Sequence, residues 1–289
     1  MKKSVVSLCL FLLLSNFVFA KEKVFTNYQT DFLTQNILKD YNFILSSCFN
    51  ENQIIDYEKV KLNADRMKKI LDFFYNHDLK FQNSKEEIIF YIAYVNIFLI
   101  DHVAKQYPLK SLNIFIKDND IRALRKIENI RIPFKDKTKI RTIGQIIMHV
   151  ITLDKVVENY GNVRTIFSFD FLSKDAPGFN FLLFNVNLLN RNLDEAVRLY
   201  LSDKNIFEID RDKDIVYLSG FFKRYISFFN VNFNKNNIIE IKNAYLSEND
   251  LNIVKFLLDY VNPNDKVFLK NNLYKIVYKR DDFSLKCIS

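Results

Sequence analysis

Glycine and proline are so scarce in this chain, four of each in 289 residues, that most folds built on tight turns are closed to it. Gly supplies the positive-φ positions of hairpin turns and phosphate loops, and Pro the rigid corners of linkers. Their scarcity argues against a sandwich of many short hairpins, a Gly-rich nucleotide loop and a collagen-like or linker-rich chain. What the chain has instead is 49% hydrophobic residues, with 29 Phe and 15 Tyr, far too apolar for disorder. It is long enough to bury a sizeable core, and residues 21–289 read as a single domain.

The first 20 residues stand apart. Met1, Lys2 and Lys3 precede an apolar run from Val5 to Leu14, and Val18-Phe19-Ala20 follows as a small-residue cleavage site. That is the pattern of a secretory signal peptide over residues 1–20. The apolar run is about half of the roughly 20 residues a membrane span needs, and Ser15 and Asn16 interrupt it, so no transmembrane helix is expected after signal removal. Cys9 lies inside the apolar run and no cysteine sits at the cleavage point, which argues against a lipoprotein. The expected destination is a bacterial periplasm or the medium.

Hydrophobic periodicity predicts helices over 26–50, with Leu33, Ile37, Tyr41, Ile44 and Leu45 on one face, and over 57–78. Ser84-Lys85-Glu86-Glu87 has the form of a capping box at the start of an apolar helix that stops before Pro108. A weaker helix over 119–128, a strand near 129–133 and a helix starting at Thr152-Leu153-Asp154-Lys155 and ending at Gly161 follow. Residues 163–171 alternate like a strand. Helices at 191–202, 220–229 and 248–261, a strand pair near 206–218 and a strand near 273–279 complete the reading. The class is α+β, with a predominantly helical N-terminal half and a small sheet in the middle and C-terminal parts.

Removing Lys2 and Lys3 lowers the formal charge from +8 to +6, and most of that excess is concentrated in residues 117–141, where nine cations face four anions. Arg122, Arg125, Lys126, Lys135 and Lys137 in this segment are the expected binding residues for an anionic envelope component or a secreted protein partner. Phe134 is the only aromatic among the charges, and an exported protein seldom meets nucleic acid, so a nucleic-acid partner is not expected. A solvated surface segment is the plainer reading of the same charges. Two cysteines remain after signal removal, Cys48 and Cys287, and an oxidising compartment allows them to pair; a buried thiol and a loose one near the terminus is the other arrangement.

Six segments in order resemble the bacterial domain-of-unknown-function 547 family. "IIDYEKVK" at 54–61 is similar to its valine-aspartate-tyrosine element. "FYIAYVNIFLIDHVAKQYPLKSL" at 90–112 is similar to its Asn-Ala-Tyr-Asn helix and the turn that follows. "ITLDKVVENY" at 151–160 resembles a third element, and "LDEAVRLYLSD" at 193–203, "VYLSGFFKRYISFF" at 216–229 and "DDFSLK" at 281–286 resemble the later ones.

The departures from the family's pattern carry more information than the matches. Members have His-Phe-Ala-Leu-Asn-Cys-Ala-Ser followed by a second cysteine and proline. Here Arg164 and Pro177 match, but Ile166 stands at the histidine, Asp170 at the asparagine, Phe171 at the first cysteine and Ala176 at the second. Ile92 and Val95 replace both asparagines of the Asn-Ala-Tyr-Asn helix, where Ala93 and Tyr94 match. A Cys, His and Asn set suggests thiol chemistry, because a histidine lowers a cysteine's pKa and an amide orients the ring. The resemblance therefore implies a catalytically inactive, exported binding or envelope-associated protein.

The alternative is a hydrolase or transferase with a carboxylate-based site formed by Glu158 and Asp170 with Tyr94 and Arg164 as neighbours. The three histidines, His77, His102 and His149, lack zinc-type spacing, so neither a metal nor another cofactor is expected. Terminal sequencing of the exported protein should read from Lys21; intact Met1 in an envelope fraction would refute the signal-peptide reading.

Overall fold

The computed structural model describes residues 35–50, 54–108, 128–135, 141–153, 161–169, 171–178, 186–230 and 241–287. The expected signal peptide, residues 26–34 of the first expected helix with Leu33, most of the expected helix over 119–128, and residues 154–160 lie outside these. The chain folds as an α+β protein, helix-rich, with one two-stranded and one three-stranded sheet.

The helix Ser84–Ala104, α4, organises the N-terminal half. The helices before it are α1 (Gln35–Cys48), α2 (Tyr57–Leu62) and α3 (Ala64–Asn76). Fifteen of the 21 residues of α4 are buried, more than any single helical face can hold, so its neighbours must enclose it. It is long and apolar enough to cross a membrane, yet 78% of its most apolar window is buried inside the protein. It packs against α2, α3 and a later helix, α5 (Ile143–Leu153). Flat aromatic contacts line the seam: Phe74 of α3 stacks on Tyr94 at 5.1 Å between ring centres, and Phe134 meets Tyr94 edge-on at 5.3 Å. Such pairs contribute about 0.5–1.5 kcal/mol each beyond the area they bury.

The start of α4 is displaced by one residue from the expected capping box. Asn83, not Ser84, caps the helix, its side chain accepting from the Glu86 N–H at 3.0 Å, and the Glu86 carboxylate accepts from the Gln82 N–H at 2.7 Å. Glu87 instead reaches His149 on α5 at 2.7 Å. Asn is as good a cap as Ser, so the tertiary demand on Glu87 decides the register. A second box escaped the sequence reading: Thr142 and Gln145 exchange bonds of 3.0 and 3.3 Å where α5 begins.

The α1 stripe holds, with Tyr41, Ile44 and Leu45 buried. The expected helix over 57–78 is broken at Asn63, whose amide donates to the Lys59 carbonyl at 2.8 Å and closes the first piece before α3 starts. Two strands, β1 (Arg131–Ile132) and β2 (Arg141–Thr142), pair antiparallel and feed α5. Thr152 and Leu153, read as a helix start, are the end of α5.

The expected strand over 163–171 is also corrected: Gly161–Ser168 form a 3₁₀ helix. The letters alternate between polar and apolar, but burial does not, since every residue from Val163 to Phe169 is buried. The segment packs between α5 and α6 (Leu189–Leu201), and among the described residues no strand pairs with it, so its backbone bonds close locally.

The C-terminal half carries the larger sheet, β3 (Phe207–Asp210), β4 (Ile215–Leu218) and β5 (Lys275–Tyr278). β3 and β4 form an antiparallel hairpin pairing Phe207 with Leu218, and β5 joins β4 in parallel, Leu218 opposite Tyr278. The turn between β3 and β4 places Asp214 at φ 53°, a left-handed position that Asp tolerates better than most residues. Between β4 and β5 run α7 (Gly220–Arg224), the 3₁₀ turn Ile226–Asn230, α8 (Glu248–Leu257) and α9 (Pro263–Asn271). The expected helix over 248–261 ends at Leu257. α9 is an element the sequence reading did not foresee, although Asn262-Pro263 is a good start signal, and the Asn262 side chain accepts from the Asp265 N–H at 3.0 Å.

Asn83→Ala should lower stability by about 1 kcal/mol and Ser84→Ala by less than about 0.5 kcal/mol in urea denaturation. The reverse order would place the cap on Ser84.

Candidate functional site

The positions where the family resemblance places a thiol site are core. Ile166 and Phe169 are fully buried, Phe171 is 4% exposed, and Ile92 and Val95 are fully buried on α4. Phe167 sits in a cage of Tyr200, Phe221, Phe222 and Phe256, stacking on Phe256 at 5.6 Å. Phe171 stacks on Tyr225 at 5.8 Å.

Two residues of the carboxylate alternative are committed elsewhere. The Tyr94 hydroxyl donates to the Pro133 carbonyl at 2.6 Å, and burial holds its pKa far above the ordinary tyrosine value. Arg164, 6% exposed, pairs with Asp194 at 2.8 Å, and the Tyr260 hydroxyl donates to the same carboxylate oxygen at 3.0 Å. Glu158 and Asp170 lie outside the described residues, as do Arg122, Arg125, Lys126 and Lys137 of the basic segment. Lys135 is exposed and anchors its strand exit by donating its backbone N–H to the Tyr75 carbonyl at 3.0 Å.

The cysteines are both free thiols, so the pairing the sequence allows is not made. Backbone pairing explains this: Ile55 is bridged to Phe49 on one side and to Cys287 on the other. That places Cys287 about two strand spacings, roughly 9–10 Å, from the end of α1, beyond the ~7 Å over which a disulfide closes without backbone movement. Burial, with Asp56 adding and Lys59 opposing, pushes the Cys48 thiol up to about 11, and burial also raises Cys287 against the pull of Lys174. Neither is an activated nucleophile.

The histidines serve packing. His77 lies 4.7 Å from the Phe90 ring, and burial lowers its pKa despite Glu86 and Asp78. His102 stacks on Phe98, and His149 bonds Glu87. Among the described residues no group of three His, Cys, Asp or Glu side chains could hold a metal ion.

The open polar site lies where the C-terminal segment crosses residues 172–175. Leu285 bridges Ser173, the Lys174 N–H donates to the Ser284 carbonyl at 3.0 Å, and the Lys286 N–H donates to the Leu172 carbonyl at 2.9 Å. Between this crossing and the end of β4 is a cleft of about 580 Å³ whose walls include Lys174, Asp175, Ser219, Lys279, Arg280 and Lys286. Its size is within the range of small-molecule sites.

Behind the cleft is a buried polar group. The Ser173 hydroxyl donates to the Asp175 carboxylate at 2.7 Å, and the Tyr200 hydroxyl donates to the Asp175 backbone carbonyl at 2.6 Å. Ser219 accepts from the Phe221 N–H at 3.2 Å at the start of α7. Arg224 lies 2.9 Å from Asp281 and 3.5 Å from Asp175, a charge triad across α7, the 173–175 loop and the C-terminal segment. Gly220 makes it possible, because a Cβ there would come within 1.9 Å of an Asp281 carboxylate oxygen.

Burial pushes the Asp175 carboxyl up to about 6, with Asp281 adding to the rise and the Ser173 bond and Arg224 opposing it. Burial works against the Arg224 charge, yet its pKa is raised because Asp281, Tyr225 and Asp175 outweigh that penalty. The hydroxyls of Ser173, Tyr200 and Ser219 are all engaged in holding this frame, so the arrangement fixes the cleft's shape and offers no free nucleophile.

Sequence reasoning missed Asp175, Ser219 and Lys286 as one locality, because they are far apart in the chain. The usable signals were Gly220, one of only four glycines, and the segment 281–286, which had been noted for resemblance alone.

Comparison with family models, curated proteins and solved structures returns no match.

The raised carboxyl makes a prediction about pH. Its folded-state value lies above the ordinary carboxylate value of 3.8, so its contribution to stability is full below that value and is lost as pH rises through about 6. Asp175→Asn should therefore lose less stability than the natural protein between about pH 5 and about pH 7.5, read from urea midpoints. Equal losses in the two proteins would assign the titration to another group.

Proposed function

We propose that this chain is an exported, catalytically inactive binding protein and a divergent relative of the domain-of-unknown-function 547 family. The observation that carries the reading is the burial of Ile166 and Phe171, which stand at the family's histidine and first cysteine. A nucleophile and its base must meet a substrate within hydrogen-bond reach, and two apolar side chains in a packed core can neither attack nor move a proton. The raised pKa values of Cys48 and Cys287 give no substitute. The hydrolase or transferase alternative has less support, since Tyr94 and Arg164 are held in structural bonds. The partner in this reading is an anionic envelope component or a secreted protein, met through Arg122, Arg125, Lys126, Lys135 and Lys137.

The test compares two variants of the full exported chain for binding to vesicles containing lipopolysaccharide. Cys48→Ser with Cys287→Ser should bind as the natural protein does. Reversing charge at Arg122, Arg125 and Lys126 to Glu should weaken binding by about tenfold or more, and the effect should shrink with added salt. A folded cysteine variant that loses function while the charge reversal is silent would overturn the reading and restore the enzyme.

A further inference from the structure

We propose that the cleft between residues 173–175, Ser219 and the segment 279–287 binds a phosphate monoester carried on a small polar body, gripped by Lys174, Arg280 and Lys286. The case starts from which charges in the cleft are already matched. Its carboxylates are: Asp175 accepts from Ser173 and faces Arg224, Asp203 accepts from the Asn205 N–H at 2.8 Å, and Asp282 accepts from the Ser284 N–H at 2.9 Å. Lys279 is engaged too, its ammonium donating to the Lys204 carbonyl at 2.7 Å with Glu208 at 3.4 Å. Arg280 and Lys286 make no ion pair among the described residues, nor does Lys174, although its charge helps hold the Asp282 carboxyl low; all three line the same concave space.

Lys174, Lys279, Arg280 and Lys286 against Asp175, Asp203 and Asp282 leave the cleft lining with one positive charge in excess, which favours an anion. Two other clefts hold their arginines against protein partners. In the one between β3 and α9, Arg211 is paired with Asp265 and Arg198 lies over the Tyr260 ring. In the one between α1 and α3, Arg66 is paired with Asp40.

The three cations stand on rigid backbone. Lys174 and Lys286 are tied across the two strands by N–H donations to Ser284 and Leu172, and Arg280 follows Lys279, whose N–H donates to the Leu218 carbonyl at 2.7 Å. One guanidinium fork and two ammonium groups round one cleft suit a tetrahedral dianion better than a single-charge carboxylate. The volume of about 580 Å³ leaves room for a sugar-sized body beside the phosphate. None of the described residues that line the cleft belongs to the basic segment at 117–141, so the two proposals rest on different residues.

The test is calorimetric titration of the full exported chain with glucose 1-phosphate, inorganic phosphate and glucose, together with co-sedimentation with vesicles containing phosphatidic acid. Binding of glucose 1-phosphate or of the vesicles, with glucose inert, is the expected result; the first identifies a free ester as the source and the second a lipid headgroup. Replacing Lys174, Arg280 and Lys286 by Gln should weaken that binding about tenfold or more, consistent with loss of charge-assisted bonds. A control with Lys242→Gln and Lys275→Gln should leave it unchanged, and vesicle binding is read in the chain already charge-reversed at Arg122, Arg125 and Lys126, so that the basic segment does not contribute. If the triple variant melts early, Lys286→Gln alone should still weaken binding about threefold or more. Absence of binding by all phosphate probes, equal binding of glucose, or a folded triple variant that binds normally would overturn the proposal.

Discussion

A 21-residue helix with no polar face has to be enclosed on every side, and that requirement shapes this molecule. α4 buries Ile88 to Ile97 without interruption, so α2, α3 and α5 are drawn round it rather than along it. Burying a side chain of this size contributes about 1.5–3 kcal/mol, and the single helix supplies more than a dozen apolar positions. The few polar groups on it are therefore placed with care. Asn96 is fully buried and donates to the Ser168 carbonyl at 2.9 Å, pinning the 3₁₀ segment to the helix, and Tyr94 donates to Pro133. These bonds fix which surface of the central helix faces the middle of the chain.

The C-terminal half solves a different problem. Residues 281–287 lie as a lid across Ser173 and Lys174, with Leu285 buried at the crossing. The crossing brings Asp281 against Arg224 and Asp175, a buried charge set that is weakly stabilising as a unit but would be expensive to break at one member. Because Gly220 has no Cβ, the carboxylate can sit directly on the start of α7. The cleft is the space left over where this lid meets the end of β4. Its cations stand on segments whose positions are set by backbone bonding, and they outnumber the carboxylates of the same lining.

The region resembling a thiol site contributes to stability through Ile166, Phe167 and Phe171, while a buried polar frame is built around Asp175. That frame has the groups an acid-base site uses, a carboxyl raised by burial and three hydroxyls, but each hydroxyl is already donating to or accepting from the fold. Bonded in this way, they hold the cleft wall in place.

Much of the architecture was legible in residue order: the α1 stripe, the extent of α4, the β3–β4 hairpin and the α+β class all follow from apolar spacing and short-range turn chemistry. Helices and hairpins close their hydrogen bonds locally, so their signals are local. Where the sequence misled, the deciding partner was remote. Glu87 left the cap for His149, 62 residues away, and Asn83 took the role. Residues 163–169 looked like a half-exposed strand because Arg164, Thr165 and Ser168 are polar, but Asp194 hides the Arg and α5 and α6 enclose the rest. The cleft was beyond sequence reasoning altogether, since Lys174, Ser219 and Lys286 become neighbours only when the C-terminal segment folds back. Periodicity reports which side of an element is apolar. Which charges are left without partners depends on where distant segments end up, and only the tertiary structure decides that.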